Sequence, residues 1–233
     1  ASVADVLTLA STGIVTFKDD IIIKDAGTIG SASDTDAISI ASNGIVNFSA
    51  GATIASNTIK TAGKETMFVP AAAMYPTTSN DCAALAQVET TAGRPDLKVL
   101  DFDPSSDENA QFSVAFPKSW NEGVITFRAF FTVTGTDSGT VSWALSGVSM
   151  GDNDTIDAAF GTAVAPTAKA HSGTANDLDV TAESGAVTIA GSPSTDEEVY
   201  FQITRDVSED DLDADAKLLG IKIFFTTDVA NDA

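Results

Sequence analysis

Carboxylates are the first residues in this chain whose type and spacing suggest chemistry. The stretches DFDPSSDEN at 101–109, GDNDTIDAAFG at 151–161 and SEDDLDADAK at 208–217 each gather Asp and Glu at short intervals. Loops of this kind can supply the hard oxygen ligands that calcium takes. Set against an EF-hand loop, Asp211, Asp213 and Asp215 fill the first three ligand positions, but the sixth residue is Ala216 and the twelfth is Lys222, where Gly and Glu are required. That leaves Asp152, Asp154 and Asp157 as the candidate calcium ligands, and no other cofactor is expected. The competing reading is a solvated acidic edge that discourages strand pairing between molecules.

Catalytic signatures are weaker. His171, the single histidine, stands in AKAHSGTAND without a pattern that would bring a nucleophile to it, so a loop histidine is expected rather than a Ser-His-Asp member. Cys82 reads as a small packed side chain. Two carboxylates at glycosidase spacing would arise by chance in so acidic a chain, and no catalytic residue is assigned. Aromatic side chains could instead stack on sugar. Trp143 falls on the inward side of a strand, where core packing is expected, whereas Trp120 lies in the loop PKSWNEG beside Asn121. Trp120 and Asn121 are therefore the candidate glycan contacts, with packing at the end of a sandwich as the alternative for the indole.

The chain has 233 residues, 33 acidic against 12 basic, and a formal charge of -21. Nucleic acid is excluded as a direct partner, since phosphate binding needs Lys and Arg clusters, and anionic membrane surfaces are disfavoured by the same sign. No stretch approaches the roughly 18–20 apolar residues of a membrane span. With one cysteine there is no disulfide framework within the chain. The start, ASVADV, lacks Met and carries no visible signal peptide, so a processed or trimmed fragment is expected.

The elements that must position these residues are strands. ASTGIVTF at 10–17 returns as ASNGIVNF at 41–48, and a repeat on this scale marks units that cannot bury their own apolar face. Thr12 is ill suited to a two-residue type I′ turn, so each copy is expected to be a hairpin with a three-residue loop in which only Gly13 or Gly44 is left-handed. This register sets Leu9 opposite Val15 and Leu7 opposite Phe17, then Ile40 opposite Val46 and Ile38 opposite Phe48. A short strand is expected at 21–25 and a turn-rich link at 26–36. Residues 1–63 thus read as a repeated β-hairpin stem or docking segment, its apolar face shared between copies of the chain.

Residues 64–233 read as a head domain. One short helix or turn is expected near 81–87, capped by Asn80 or Asp81. From residue 97 the period is two, with about eight strands separated by Gly, Pro, Asp, Asn and Ser. EVYFQITRDV offers Val199, Phe201, Ile203 and Arg205 on one face and Tyr200, Gln202 and Thr204 on the other, while LLGIKIFFTTDV offers Leu219, Ile221, Ile223 and Phe225. The fold class is all-β: the hairpin stem followed by an antiparallel, jelly-roll-like β-sandwich.

GTIGSASDTDAISIASNGIVNFSAG at 27–51 resembles a segment that recurs in structural and tail-fibre-like proteins of marine bacteriophages. Residues 67–127 and 187–233 resemble the domain found with it. The resemblance implies a virion surface location and homotrimers, and it transfers no functional residues. It makes the expected function that of a non-enzymatic fibre or spike, which oligomerises through its hairpins, joins other virion proteins and presents the sandwich to a host surface glycan. The alternatives are a capsid decoration protein (a cement or head fibre), a polysaccharide depolymerase and, outside phages, a surface-layer or pilus-like subunit.

Overall fold

The computed structural model describes residues 22–49, 52–54, 57–58 and 62–228. The chain divides into two compact units, residues 1–60 and 61–233. In the first, β1 (Gly27–Ser31), β2 (Asp34–Ile40) and β3 (Val46–Phe48) form an antiparallel three-stranded sheet, and β4 (Thr53–Ile54) pairs with β5 (Asn57–Thr58). Ile38 faces Phe48 and Ile40 faces Val46, the register that the spacing predicts. Ala41 N donates to Ile45 O at 2.9 Å, leaving Ser42, Asn43 and Gly44 as the loop, and Gly44 alone among them has positive φ, at 83°. The link read as turn-rich is β1 itself, and residues 22–24 form no strand. β1 adds Ile29 opposite Ile38, so Ile29, Ile38 and Phe48 stand in one row across three strands. The first copy of the repeat, with Leu7, Leu9, Val15 and Phe17, lies outside the described residues.

The second unit is a β-sandwich. Its strands are β6 (Gly63–Pro70), β7 (Tyr75–Pro76), β8 (Ala86–Glu89), β9 (Asp96–Phe102), β10 (Glu108–Ala115) and β11 (Thr126–Thr132). They continue as β12 (Thr140–Val141), β13 (Trp143–Met150), β14 (Lys169–Ala170), β15 (Asp179–Val180), β16 (Ile189–Ala190), β17 (Glu198–Arg205) and β18 (Ala216–Thr227). One sheet runs β16-β13-β17-β10-β7, and the other runs β15-β11-β18-β9-β8 with β6 also on β18. Pairing in both is antiparallel apart from β13 with β16.

Alternation decides what the sandwich buries. Val199, Phe201 and Ile203 of β17 face inward with Phe112 of β10, Trp143 of β13, and Phe127 and Phe131 of β11. The Phe102 and Trp143 rings meet edge to face at 4.9 Å between centroids. The period breaks once, in β18. A bulge leaves Leu219 unpaired between Leu218, opposite Phe131, and Gly220, opposite Phe130. Leu218, not Leu219, therefore faces the core, and Ile221, Ile223 and Phe225 keep the inward side beyond the bulge. The helix expected near 81–87 does not form: β8 occupies its end, Asn80 is left-handed, and the helical turns described are 3-10 turns at Ala71–Ala73 and Val207–Glu209.

Candidate functional site

Four neighbouring strands of the first sheet bring polar and aromatic side chains together on its outer face. Residues directly opposite one another across strands share a face. Tyr75 of β7 pairs with Gln111 of β10, Gln111 with Gln202 of β17, and Gln202 with Ser146 of β13. The next row sets Ser113, Tyr200 and Val148 side by side. Their strand neighbours Phe112, Phe201 and Gly147 lie in the opposite phase, which commits the Tyr and Gln side chains to the outside.

Beyond β13 the chain folds back along that strand. Gly161 N donates to Gly147 O, and Leu145 and Val164 exchange backbone hydrogen bonds, each at 3.0 Å. The 151–160 loop is held beside the sheet by this return and becomes a wall. The result is a groove of about 340 Å³ lined by Tyr75, Gln111, Tyr200, Val148, Met150, Ile156, Ala158 and Phe160. Ile156 is 86% exposed at its rim.

The groove's polar groups are partly ordered. Gln111 Nε2 donates to Gln202 Oε1 at 3.0 Å, which leaves the Gln111 carbonyl and the Gln202 amino group without a protein partner among the described residues. Tyr200 Oη donates to Glu198 Oε2 at 3.2 Å. The Glu198 charge, together with that bond, holds the Tyr200 phenol above its usual range, so the hydroxyl stays protonated and able to donate. Two phenol rings beside free amide groups in an open groove suit a ligand that alternates apolar ring faces with hydroxyls.

A second depression of about 490 Å³ adjoins the same loop and is lined by Asp154, Glu197, Gly191 and Ser192 among others. Its carboxylates are used in holding the loop. Asp154 accepts from Gly151 N at 2.9 Å, and Glu197 accepts from the Ser149 hydroxyl and from Ser194 N at 3.3 Å. Of the expected calcium ligands, Asp152 accepts from Asn153 Nδ2 at 2.8 Å and Asp154 from Gly151 N, and no three His, Cys, Asp or Glu among the described residues are placed to hold a metal. The turn uses the Asp154 and Asp152 carboxylates for its own backbone and side-chain bonds.

The Trp120 expectation is corrected. It is 2% exposed, its ring stacked on Phe116 at 4.2 Å between centroids, because the loop from Pro117 turns the indole into the end of the sandwich. Asn121 Oδ1 accepts from Gly123 N, closing the same turn. His171 is also inside, donating from Nδ1 to Asp179 at 2.6 Å, and Asp179 takes a second bond from Lys169 at 2.9 Å. Burial by itself would raise the Asp179 carboxyl, but the bonds from His171 and Lys169 outweigh it and hold the group below its usual range. Burial also drives the Cys82 thiol up to about 12, with the Glu108 charge adding to it, so Cys82 is an inert packed side chain.

The groove residues were only half visible beforehand. Alternation puts Tyr200 and Gln202 on the outer face, but Tyr75 sits in the segment AAAMYPTTS, which carries no strand period.

No family model matches the chain, and no curated protein matches it. Among solved structures, the xylan-binding module CBM15 is similar with 12% identity and a TM-score of 0.38, over 73% of this chain and all (100%) of that one. The CBM35 module of Cellvibrio japonicus Abf62 has 9% identity and a TM-score of 0.36, over 68% and 92%. A Paenibacillus sp. cycloisomaltooligosaccharide glucanotransferase has 13% identity and a TM-score of 0.35 over 64% of this chain, which spans 17% of the enzyme's length.

Proposed function

We propose that this chain is a non-enzymatic virion surface protein of a bacteriophage, a fibre or spike whose sandwich holds a host surface polysaccharide in the Tyr75–Tyr200 groove. The observation that carries the binding role is the register across β7, β10, β17 and β13, which lines up Tyr75, Gln111, Gln202 and Ser146 in one row with Tyr200 in the next. The virion setting rests on the resemblance of residues 27–51, 67–127 and 187–233 to phage structural proteins. In this reading the tyrosine rings take sugar faces by stacking, the Gln111 and Gln202 amides bond sugar hydroxyls, and the 151–160 loop limits how the chain lies. The N-terminal hairpins associate with other copies through their apolar face.

The test is affinity electrophoresis of the full chain in gels carrying neutral plant, algal and bacterial polysaccharides, followed by titration calorimetry on any that retard it. Tyr75→Ala and Tyr200→Ala are each expected to cost about 1–2 kcal/mol, roughly 5- to 30-fold in Kd. Trp120→Phe is expected to leave binding unchanged. Retardation by no polysaccharide, or full binding by both tyrosine variants, would overturn the reading. Stoichiometric co-purification with phage heads, without saccharide binding, would then make the chain a decoration protein. Release of reducing sugar would make it a depolymerase.

A further inference from the structure

The other sheet carries a second surface of different chemistry. On the outer side of β11, β18 and β6, Arg128 pairs with Lys222 and Lys222 with Phe68, while Thr126, Phe224 and Thr66 form the neighbouring row. Three cations surround the Phe224 ring: Lys64 Nζ at 5.1 Å from the centroid, Lys222 Nζ at 5.6 Å and Arg128 Cζ at 5.7 Å. This gathers three of the chain's 12 basic residues in a molecule with 33 acidic ones.

Only one of the three cations is in a direct ion pair among the described residues. Lys64 pairs with Glu183, which also accepts from the Thr126 hydroxyl. Glu183 is held below its usual range by the bonds from Lys64 and Thr126, with the Lys64 and Arg128 charges adding, while Arg128 and Lys222 pack on the Phe224 ring without a direct ion pair. Beside them Phe68 is 51% exposed, held edge-on by Phe130 at 5.4 Å and 89°. Strands stand about 4.8 Å apart, so Arg128, Lys222 and Phe68 form a straight row of cation, cation and ring across three strands.

We propose that this face binds an acidic polysaccharide. Arg128 and Lys222 pair with the anionic groups of the polymer, Phe68 takes the apolar face of a neighbouring sugar ring, and Phe224 positions the cations. The shared chemistry is a carboxylate or sulfate group on a pyranose chain. The overall charge of -21 selects against more densely charged partners: a nucleic acid or an anionic membrane is repelled over the whole surface, whereas a sparsely charged chain needs only these local contacts. At about 0.15 M salt the Debye length is roughly 8 Å, so remote carboxylates are screened while pairs in contact persist.

The experiment titrates the full chain with partly methyl-esterified oligogalacturonate, with lightly sulfated dextran and with neutral dextran at that salt, by calorimetry and by amide shift mapping. Binding of one or both anionic polymers is expected, with the shifts on β6, β11 and β18, and the two anionic arms separate carboxylate from sulfate recognition. Arg128→Gln with Lys222→Gln is expected to weaken binding at least 10-fold, while the charge-keeping pair Arg128→Lys with Lys222→Arg retains it, which separates loss of charge from loss of fold. Tyr200→Ala should leave it intact, so this surface and the tyrosine groove can fail separately. The proposal is overturned by absence of binding to both anionic polymers, by an unchanged affinity in the Gln pair, or by shifts confined to β10 and β17. Equal binding of neutral dextran would overturn it too, because the charges would then play no part in recognition.

Discussion

Arg205 shows at the residue scale how one buried side chain can organise an acidic loop. Its guanidinium makes five hydrogen bonds: two to Asp210, one from Nε and one from Nη2, and three to the carbonyls of Phe102, Leu212 and Ala214. Period-two alternation places Arg205 on the inward side of β17, yet nothing in that pattern reveals its partners, because one belongs to β9 and the others to the loop before β18. Much of the acidic run at 208–217 is therefore structure: Asp210 is an ion-pair partner, and Asp211 accepts from the Thr140 hydroxyl at 2.7 Å. Arg205→Met leaves the Asp210 carboxylate buried and unpaired, with an expected loss of about 3–5 kcal/mol in urea unfolding. Two other carboxylates should behave oppositely with pH. Asp179 has a folded pKa below its unfolded value, so its contribution is present above the unfolded value, near 3.9, and is lost as pH falls through the folded one. Asp179→Asn is expected to cost about 2–3 kcal/mol at pH 7 and to flatten the acid limb of the stability curve. Glu108 is raised by burial, with Asp103, Asp215 and Asp81 adding to the effect, so its penalty grows as pH rises from the unfolded value through the folded one. Glu108→Gln should raise the melting temperature at pH 7 and leave it unchanged at pH 3.

Among the elements, β18 is the one whose geometry serves both the core and the outer face. Its bulge at Leu219 lets Ala216 and Leu218 face inward in one phase and Ile221, Ile223 and Phe225 in the other. Gly220 sits at the change with φ at 156°, and a Cβ there would lie 2.5 Å from Val69 O and 2.9 Å from Pro70 Cα. Those atoms belong to the β6 backbone and cannot swing aside. Gly220→Ala is expected to destabilise the sandwich by about 1–3 kcal/mol, measured by thermal unfolding, and to disturb Phe68, whose ring tip the new methyl would meet. The residues also explain what the sequence could and could not reveal. Runs such as EVYFQITR and AQFSVAF alternate cleanly because one face meets the core and the other meets solvent or a groove. LLGIKIFF misleads because one unpaired residue shifts the phase, and a bulge has no period of its own. The hairpin loop at 42–44 was legible because Thr12, at the matching position of the first copy, argues against a two-residue turn and leaves the positive φ to Gly44. The groove was not, since it depends on β7, two residues long, meeting β10 some 35 positions later in the chain.

For the whole molecule, the central question is what the N-terminal sheet does with an apolar face it does not bury. Val46 and Phe48 are both 49% exposed, and Ile29 and Ile45 are similarly open, although this unit has the strand register its sequence predicts. A formal charge of -21 opposes association, yet screening weakens that opposition at moderate salt, while the gain from covering large apolar side chains is insensitive to it. Self-association through this face should therefore strengthen with salt, the reverse of an assembly held by ion pairs. On the proposed fibre reading, light scattering of the full chain at about 0.15 M salt gives a trimer mass. The double substitution Ile38→Thr with Phe48→Thr puts β-branched side chains in the strands while removing two of the row's three large apolar groups, and it should yield a monomer with an unchanged sandwich melting temperature. A trimer that survives the substitution would move the interface off this row, to the first copy of the repeat or to the sandwich. A wild-type monomer at every salt concentration would instead make the face a dock for a different virion protein, as decoration requires.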